Sequence, residues 1–226
     1  MIKTKKRGNL IIISGFSGAG KGTVVKELLN NDSNRVLSVS YTSRNMRDGE
    51  TNGKEYHFIT KDEFDTKIKN NEIFEHNFYD NNYYGTPKDI TEDLLSQGKD
   101  VILEIEVNGA KIVKEQLPET ILVFILPPSM NELKQRLKKR GNNTNEQLVR
   151  RFETAYREIN EINKYNYVVV NDILEEAVNK VEAILISEKC RVDRIEEMAI
   201  ENKEEIIHEF LMDKEFDNSI KKITDI

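Results

Sequence analysis

An apolar run, Leu10-Ile11-Ile12-Ile13, breaks into Gly15-Phe16-Ser17-Gly18-Ala19-Gly20-Lys21-Gly22-Thr23 and resumes as Val24-Val25-Lys26-Glu27-Leu28-Leu29. Strand, glycine-rich turn and helix in that order admit few folds, because the turn must curl tightly and the strand must be covered on both faces. The glycines let several backbone N–H groups point inward, and the helix that follows adds the positive end of its dipole. Lys21 then supplies a full charge to the β- and γ-phosphates of a nucleoside triphosphate. A plain glycine turn accounts for the glycines but not for a lysine at that offset. The stretch Gly15, Phe16, Ser17, Gly18, Ala19, Gly20, Lys21, Gly22, Thr23 is therefore read as a phosphate-binding loop. Gly22 stands where Ser or Thr is common, and the hydroxyl comes one residue later. Mg²⁺ is accordingly expected to be held mainly by nucleotide and water, with Thr23 as the candidate protein donor.

Further apolar runs extend the pattern. Strands are predicted at Leu10–Ser14, Arg35–Ser40, Val101–Ile105, Ile121–Leu126 and Tyr167–Val170. Helices are predicted at Asn108–Gln116, Ser129–Lys139, Asn145–Asn163 and Ile173–Ser187, two of them with capping-box signals, Ser129 with Glu132 and Thr144 with Gln147. Such alternation implies a parallel α/β sheet flanked by helices, with ligands outside the carboxyl ends of its strands. Two segments break the alternation. Residues 41–98 change to short strands (Glu55–Ile59, Ile73–Phe78) around a helix opened by Thr60, dense in Tyr, Phe, Asn and charge, as suits an inserted ligand-handling module. Residues 129–164 follow Pro127-Pro128 and gather arginines around Gly141-Asn142-Asn143-Thr144, which reads as a mobile basic lid. A solvated helix face with i,i+4 pairs is the bland alternative. Arg136 and Arg140, however, are like charges at that spacing and repel unless an anion lies between them.

Bulk properties exclude several classes. No stretch approaches a membrane span, and the apolar run behind the basic start is too short for a secretory leader. Cys190 is alone, so no internal disulfide forms and a cytoplasmic setting is expected. His57, His76 and His208 lack metal-ligand spacing. A net charge of −6 argues against a nucleic-acid partner. The acidity is uneven: from Ser187 onward the balance is −5, leaving −1 for the rest. The placement of arginines, rather than the overall charge, carries the information.

Ser38-Val39-Ser40-Tyr41-Thr42-Ser43-Arg44-Asn45-Met46-Arg47-Asp48-Gly49-Glu50, Asn52-Gly53-Lys54-Glu55-Tyr56-His57-Phe58, Asn82-Tyr83-Tyr84-Gly85-Thr86, Leu103-Glu104-Ile105-Glu106-Val107-Asn108-Gly109-Ala110 and Val170-Asn171-Asp172 together resemble the linked motifs of guanylate kinases. The resemblance covers residues 8–187. It implies a core (8–40, 99–128 and 165–187), a GMP-binding module (41–98) and a lid (129–164). The activity it implies is Mg²⁺-dependent transfer of the ATP γ-phosphate to GMP. On that resemblance Arg44 and Arg47 grip the GMP phosphate with hydroxyls from Tyr56 and Tyr84, and Glu50 belongs to the same site. Glu75 accepts from guanine N1–H and the 2-amino group, while Ser40 and Thr86 meet the remaining base edge. Glu104 and Glu106, expected to alternate on one strand end, border the phosphates or hydrated Mg²⁺; the family usually has Asp at the second position. Lys21, Arg136, Arg140 and Arg151 are the catalytic cations, and Asn171 lies with the ATP loop.

Two readings compete. One is a nucleoside monophosphate kinase of another specificity, since Gly20-Lys21-Gly22-Thr23 also occurs in adenylate kinases. The other is the non-catalytic guanylate-kinase-like module of scaffold proteins, which typically has a degraded loop and lid. Partners are expected to be ATP and GMP, without nucleic acid or membrane, in a monomer or homodimer. Beyond the resemblance, residues 188–226 read either as a frayed acidic appendage or as an acidic helical extension lying on the core or on another subunit. Ile195, Met198, Ala199, Ile206, Ile207, Phe210 and Leu211 supply its apolar face.

Overall fold

The structure is a computed structural model that describes residues 2–4, 7–79, 81–139 and 145–198. In chain order the elements are β1 (Ile2–Thr4), β2 (Leu10–Gly15), α1 (Lys21–Asn31), β3 (Arg35–Leu37), β4 (Tyr41–Thr42), β5 (His57–Phe58), α2 (Lys61–Lys69), β6 (Ile73–Tyr79) and β7 (Asn82–Pro87). There follow α3 (Lys88–Ser96), β8 (Asp100–Glu104), α4 (Val107–Gln116), β9 (Ile121–Leu126), α5 (Met130–Lys139), α6 (Asn145–Ile159), β10 (Tyr167–Val170), α7 (Leu174–Lys189) and β11 (Ile195–Met198).

The apolar runs become a parallel sheet in the order β10-β9-β2-β8-β3, with β2 at its centre. Every residue of β2 is buried. Its side chains alternate between two cores because successive strand residues face opposite ways. Ile11 and Ile13 join Val24, Val25 and Leu28 of α1 and Ala177, Val178 and Val181 of α7. Leu10 and Ile12 join Leu95 of α3 and Ala110 and Val113 of α4. Each such aliphatic side chain stabilises the fold by about 1.5–3 kcal/mol on full burial. The parallel sheet and its flanking helices match the expected α/β class.

The inserted segment forms a second sheet in the order β5-β4-β7-β6, in which β4 pairs parallel with β5 and antiparallel with β7. Tyr41, Phe64 and Ile73 form its core. The helix opened by Thr60 is α2, held by a complete capping box in which Thr60 and Glu63 satisfy each other's backbone N–H groups.

Several boundaries differ from the sequence reading. The strand expected at Arg35–Ser40 ends at Leu37, because Ser38–Ser40 carry the chain from the first sheet to the second. The segment expected at Glu55–Ile59 shortens to β5. The helix expected at Asn145–Asn163 stops at Ile159, and a 3₁₀ turn spans Ile162–Lys164. Ser129 caps α5 by accepting from the Glu132 N–H at 3.1 Å, but the Glu132 side chain turns to Arg136, so the box is half made. The Thr144–Gln147 box lies outside the described residues.

By contacts the chain divides into a unit of residues 6–185 and a unit of 1–5 with 186–226. The described sheet of the second is the antiparallel pair β1 and β11, with an irregularity between Lys3 and Thr4. Ile195 and Met198 therefore belong to a strand and not to the helix expected from their spacing. The backbone of β1 satisfies them, a long-range pairing that local periodicity does not reveal. Residues 199–226, with Ala199, Ile206, Ile207, Phe210 and Leu211, lie outside the described residues.

Candidate active site: a phosphate loop and an arginine-rich acceptor module

The phosphate loop is built from backbone. After β2 the chain turns at Gly15, buries Phe16 and Ala19, and closes with the Ala19 N–H on the Phe16 carbonyl at 2.9 Å. Gly20 caps α1 in the left-handed region, φ +93°, where a non-glycine residue is strained. A Cβ there would also lie 2.3 Å from Nδ2 of Asn171. Asn171 is buried and donates Nδ2–H to the Ala19 carbonyl at 2.8 Å, so it braces the loop from β10's end. No side chain caps α1 and its first turn holds no acidic residue, so nothing within the helix competes with an anion for its leading N–H groups.

Lys21 opens α1, and its Nζ donates to the Gly15 carbonyl at 2.6 Å. Ser17 is exposed and accepts from Nη1 of Arg151 at 2.7 Å, which ties α6 to the loop. Arg136 on α5 splits its guanidinium: Nε donates to Glu132 at 3.0 Å and Nη1 to the Asn171 carbonyl at 3.1 Å. The i,i+4 pairing weighed for the lid thus exists, but with Glu132, and it leaves Arg136 beside the loop's brace. Arg140 lies outside the described residues. Gly18 borders the lid helix directly, since a Cβ there would meet Leu137 at 2.9 Å.

Carboxylates face the loop from two sides. Glu104 ends β8, and its Oε2 would lie 3.4 Å from a Cβ on Gly22; Thr23 is exposed one residue on. Glu106 is not on the strand. It occupies the N-cap of α4 in extended conformation, so the expected alternation of Glu104 and Glu106 on one strand end is corrected: β8 has already given way to the helix. Glu158 on α6 was not singled out from the sequence. Burial pushes its carboxyl above the ordinary range, opposed by Lys21 and reinforced by Glu106, so these three charges share one locality.

The inserted module is built from side chains. Arg44, just past β4, makes a two-pronged pair with Glu50, Nη1–Oε2 at 3.0 Å and Nη2–Oε1 at 2.8 Å. Glu50 also accepts from the Arg47 N–H at 2.7 Å. These donors, Arg44 first, hold the Glu50 carboxyl below its usual range, and Glu50 in turn pushes Arg44 further up. The Arg44 guanidinium lies 5.5 Å from the Tyr56 ring centre, and Tyr56 packs edge-on against Tyr84 at 5.8 Å. The Arg47 side chain is exposed. On β6 and β7, Thr86 Oγ1 donates to Glu75 Oε1 at 2.5 Å, with Thr86 buried and Glu75 half-buried. A Cβ at Gly109 would come within 3.3 Å of the Glu75 carboxyl carbon, so the first turn of α4 lies against it. Ser40 is half-buried, and its carbonyl accepts from the His57 N–H at 2.8 Å.

The structure thus gathers Lys21, Asn171, Arg136, Arg151, Glu104 and Glu106 around the loop. It gathers Arg44, Arg47, Glu50, Tyr56 and Tyr84 into one cluster of the module and Glu75 with Thr86 into another. Helix α4 lies against Glu75 through Gly109, and the charge of its N-cap Glu106 is felt by Glu158 together with that of Lys21.

A parallel sheet whose central strand feeds a backbone-built phosphate loop, with Arg136 and Arg151 beside that loop and an arginine-bearing insert, defines a nucleotide-binding α/β protein of the phosphate-loop class. A family model described as Guanylate kinase matches residues 7–188. The guanylate kinase of Clostridium perfringens is 54% identical over 212 residues, 94% of this chain and 98% of that relative. That of Clostridium tetani is 55% identical over 208 residues, 92% of this chain and 100% of the relative. The crystal structure of guanylate kinase from Anaplasma phagocytophilum superposes with a TM-score of 0.65 at 33% identity, covering 85% of this chain and 92% of that one. The chain belongs to the guanylate kinase family.

Proposed function

We propose that the protein transfers the γ-phosphoryl group of ATP to GMP, giving ADP and GDP, as a step of purine nucleotide metabolism that recycles GMP and dGMP. The observation that carries this reading is the pairing of a loop preorganised for polyphosphate with a separate arginine cluster and a half-buried Glu75 that lies against α4.

The acceptor atom is a phosphate oxygen already ionised near neutral pH, so the reaction needs positioning and charge stabilisation more than a general base. The loop N–H groups and Lys21 hold the β- and γ-phosphates, and Asn171 keeps the loop in shape. Arg44 and Arg47 take the GMP phosphate, each able to donate two parallel hydrogen bonds, with hydroxyls from Tyr56 and Tyr84. Glu50 orients Arg44 for that task. Glu75 accepts from N1–H and the 2-amino group of guanine, while Thr86 and Ser40 face the remaining edge. Arg136, Arg140 and Arg151 close over the transferring group and exclude water.

The donors beside the loop, Glu104, Glu106 and Thr23, are all oxygens. Among the described residues no group of three or more His, Cys, Asp or Glu could hold a metal. That set fits Mg²⁺, which keeps several waters and takes phosphate oxygens, better than a metal needing a full protein cage. When bound, Mg²⁺ offsets phosphate charge.

The test is turnover of GMP, dGMP, AMP and UMP with ATP and Mg²⁺. GMP is expected to have the highest kcat/KM. Preference for AMP or UMP would reassign the acceptor, and no ATP consumption with any of them would make this a binding module.

A further inference from the structure

Beside the segments assigned to GMP lies a polar cluster that meets them through backbone, the His57 N–H donating to the Ser40 carbonyl at 2.8 Å. Tyr41 of β4 is buried, and its hydroxyl donates to both oxygens of Asp89, at 3.0 and 2.9 Å. Lys67 of α2 donates to Asp89 Oδ2 at 2.7 Å and to Glu72 Oε2 at 2.9 Å, and its ammonium lies 4.6 Å from the Tyr41 ring centre. The His57 ring packs on Tyr41 at 5.5 Å from the other side.

The cluster joins the segments that carry Ser40 and Arg44, Thr86, and Glu75. Tyr41 stands between Ser40 and Arg44. Asp89 is the second residue of α3, three past Thr86, and Glu72 lies three before Glu75. The Lys88 N–H donates to the Glu72 carbonyl at 2.8 Å, which fixes the start of α3 on the start of β6. The phosphate end of the site (Arg44) and its base end (Glu75, Thr86) are therefore tied through the same few atoms. β4 is held on β7 by its two-residue ladder and by Thr42 Oγ1 on the Tyr83 carbonyl at 2.9 Å, and the cluster adds the tie from β4 to α2 and α3.

We propose that Tyr41, Asp89 and Lys67 are positioning residues that set the spacing between the arginine and glutamate ends of the GMP site. The inference rests on GMP being the acceptor. Each group faces a partner that favours the arrangement. Burial pushes the Tyr41 hydroxyl up to about 12, so it remains a donor. Lys67, Tyr41 and the Ile90 N–H hold Asp89 ionised against its burial, Lys67 holds Glu72 ionised, and burial keeps His57 below its ordinary value.

The test is Tyr41→Phe, which keeps the ring and removes the hydroxyl, beside Asp89→Asn, Asp89→Glu and the double variant. Ile68→Ala, which trims apolar volume packed on the same core, is the stability control. Tyr41→Phe is expected to raise KM for GMP about tenfold, the size of one lost hydrogen bond to a charged group, with kcat and KM for ATP within twofold. Asp89→Asn should match it and the double variant should be no worse than either single, because both act through one tie. Asp89→Glu should recover part of the loss. If Tyr41→Phe lowers the melting temperature as Ile68→Ala does but leaves KM for GMP within twofold, the cluster is structural only and the proposal fails. Should Tyr41→Phe not fold, the same criterion applies to Asp89→Asn. Wild type inactive on GMP would instead overturn the acceptor assignment.

Discussion

Around the phosphate loop the polar partners are mostly main chain: Lys21 on the Gly15 carbonyl, Asn171 on the Ala19 carbonyl, Ala19 N–H on Phe16. In the inserted module they are side chains holding side chains: Arg44 with Glu50, Thr86 with Glu75, Tyr41 with Asp89. The first arrangement is fixed once β2 and α1 are packed, and on the proposed function it reads only phosphate, a group common to all nucleotides. The second is a set of directional, exchangeable contacts that on the same proposal read a particular base. Generic charge recognition rests on geometry that folding guarantees, and selectivity rests on pairs that substitution can rewrite.

The largest effect should come from the one side chain on which the loop's chemistry depends. Lys21→Met is expected to lower kcat by about a thousandfold or more while the melting temperature barely moves, since the loop's shape comes from backbone. Activity within a few-fold of wild type, in a folded variant, would break the contrast at its strongest point.

Arg151→Ala probes the seam between lid and loop. Its contact with Ser17 places it at the donor side, so kcat should fall by about a hundredfold with KM for GMP changed far less. A rise in KM for GMP at constant kcat would transfer Arg151 to the acceptor site.

Glu75→Gln sharpens the module's half of the comparison. The substitution puts an amide NH₂ where guanine presents donors, so kcat/KM for GMP should drop by about tenfold to a hundredfold. The GMP-to-AMP preference should shrink with it. An unchanged ratio of the two efficiencies would show that Glu75 does not read the base.

The smallest effect is a pH dependence. Glu50 is held below its ordinary value of 4.5 by Arg44 and the Arg47 N–H. A carboxyl depressed on folding contributes stability above its unfolded value and loses it as pH falls through the folded one. The melting temperatures of wild type and Glu50→Gln should therefore differ most near pH 7 and converge below about pH 4. A gap that persists in acid would mean that Glu50 acts by packing.

What the sequence made legible follows the same division. β2 and β9 were readable because strands buried on both faces are continuous apolar runs, β10 because it is a run of valines although Val168 and Val170 are exposed, and the loop because its glycines mark a turn that only glycine takes easily. β4 was missed because two residues cannot show an alternation, and β5 was read too long for the same reason. α3 was missed because it begins at Lys88 directly after β7, with Pro87 as its cap and no intervening turn. At the site, Arg44, Glu75 and Thr86 could be named from the resemblance, but not the partners that hold them. Glu158 is one of several glutamates near the end of a polar helix, and only the folded chain sets it near Lys21 and Glu106. Glu106 was placed one element too early because a strand and the extended N-cap that follows it look alike in sequence.

The position of Gly109 has an evolutionary consequence. Its missing side chain leaves the room in which the Glu75 carboxyl sits, one helical turn from the residue that borders the phosphate loop. A turn of helix advances about 5.4 Å without bending, so exchanges at positions 75, 86 and 109 can be tried as a set while the donor end stays where it was. A lineage could thus change which base it accepts by altering three positions scattered along the chain, and retain the catalytic half it inherited.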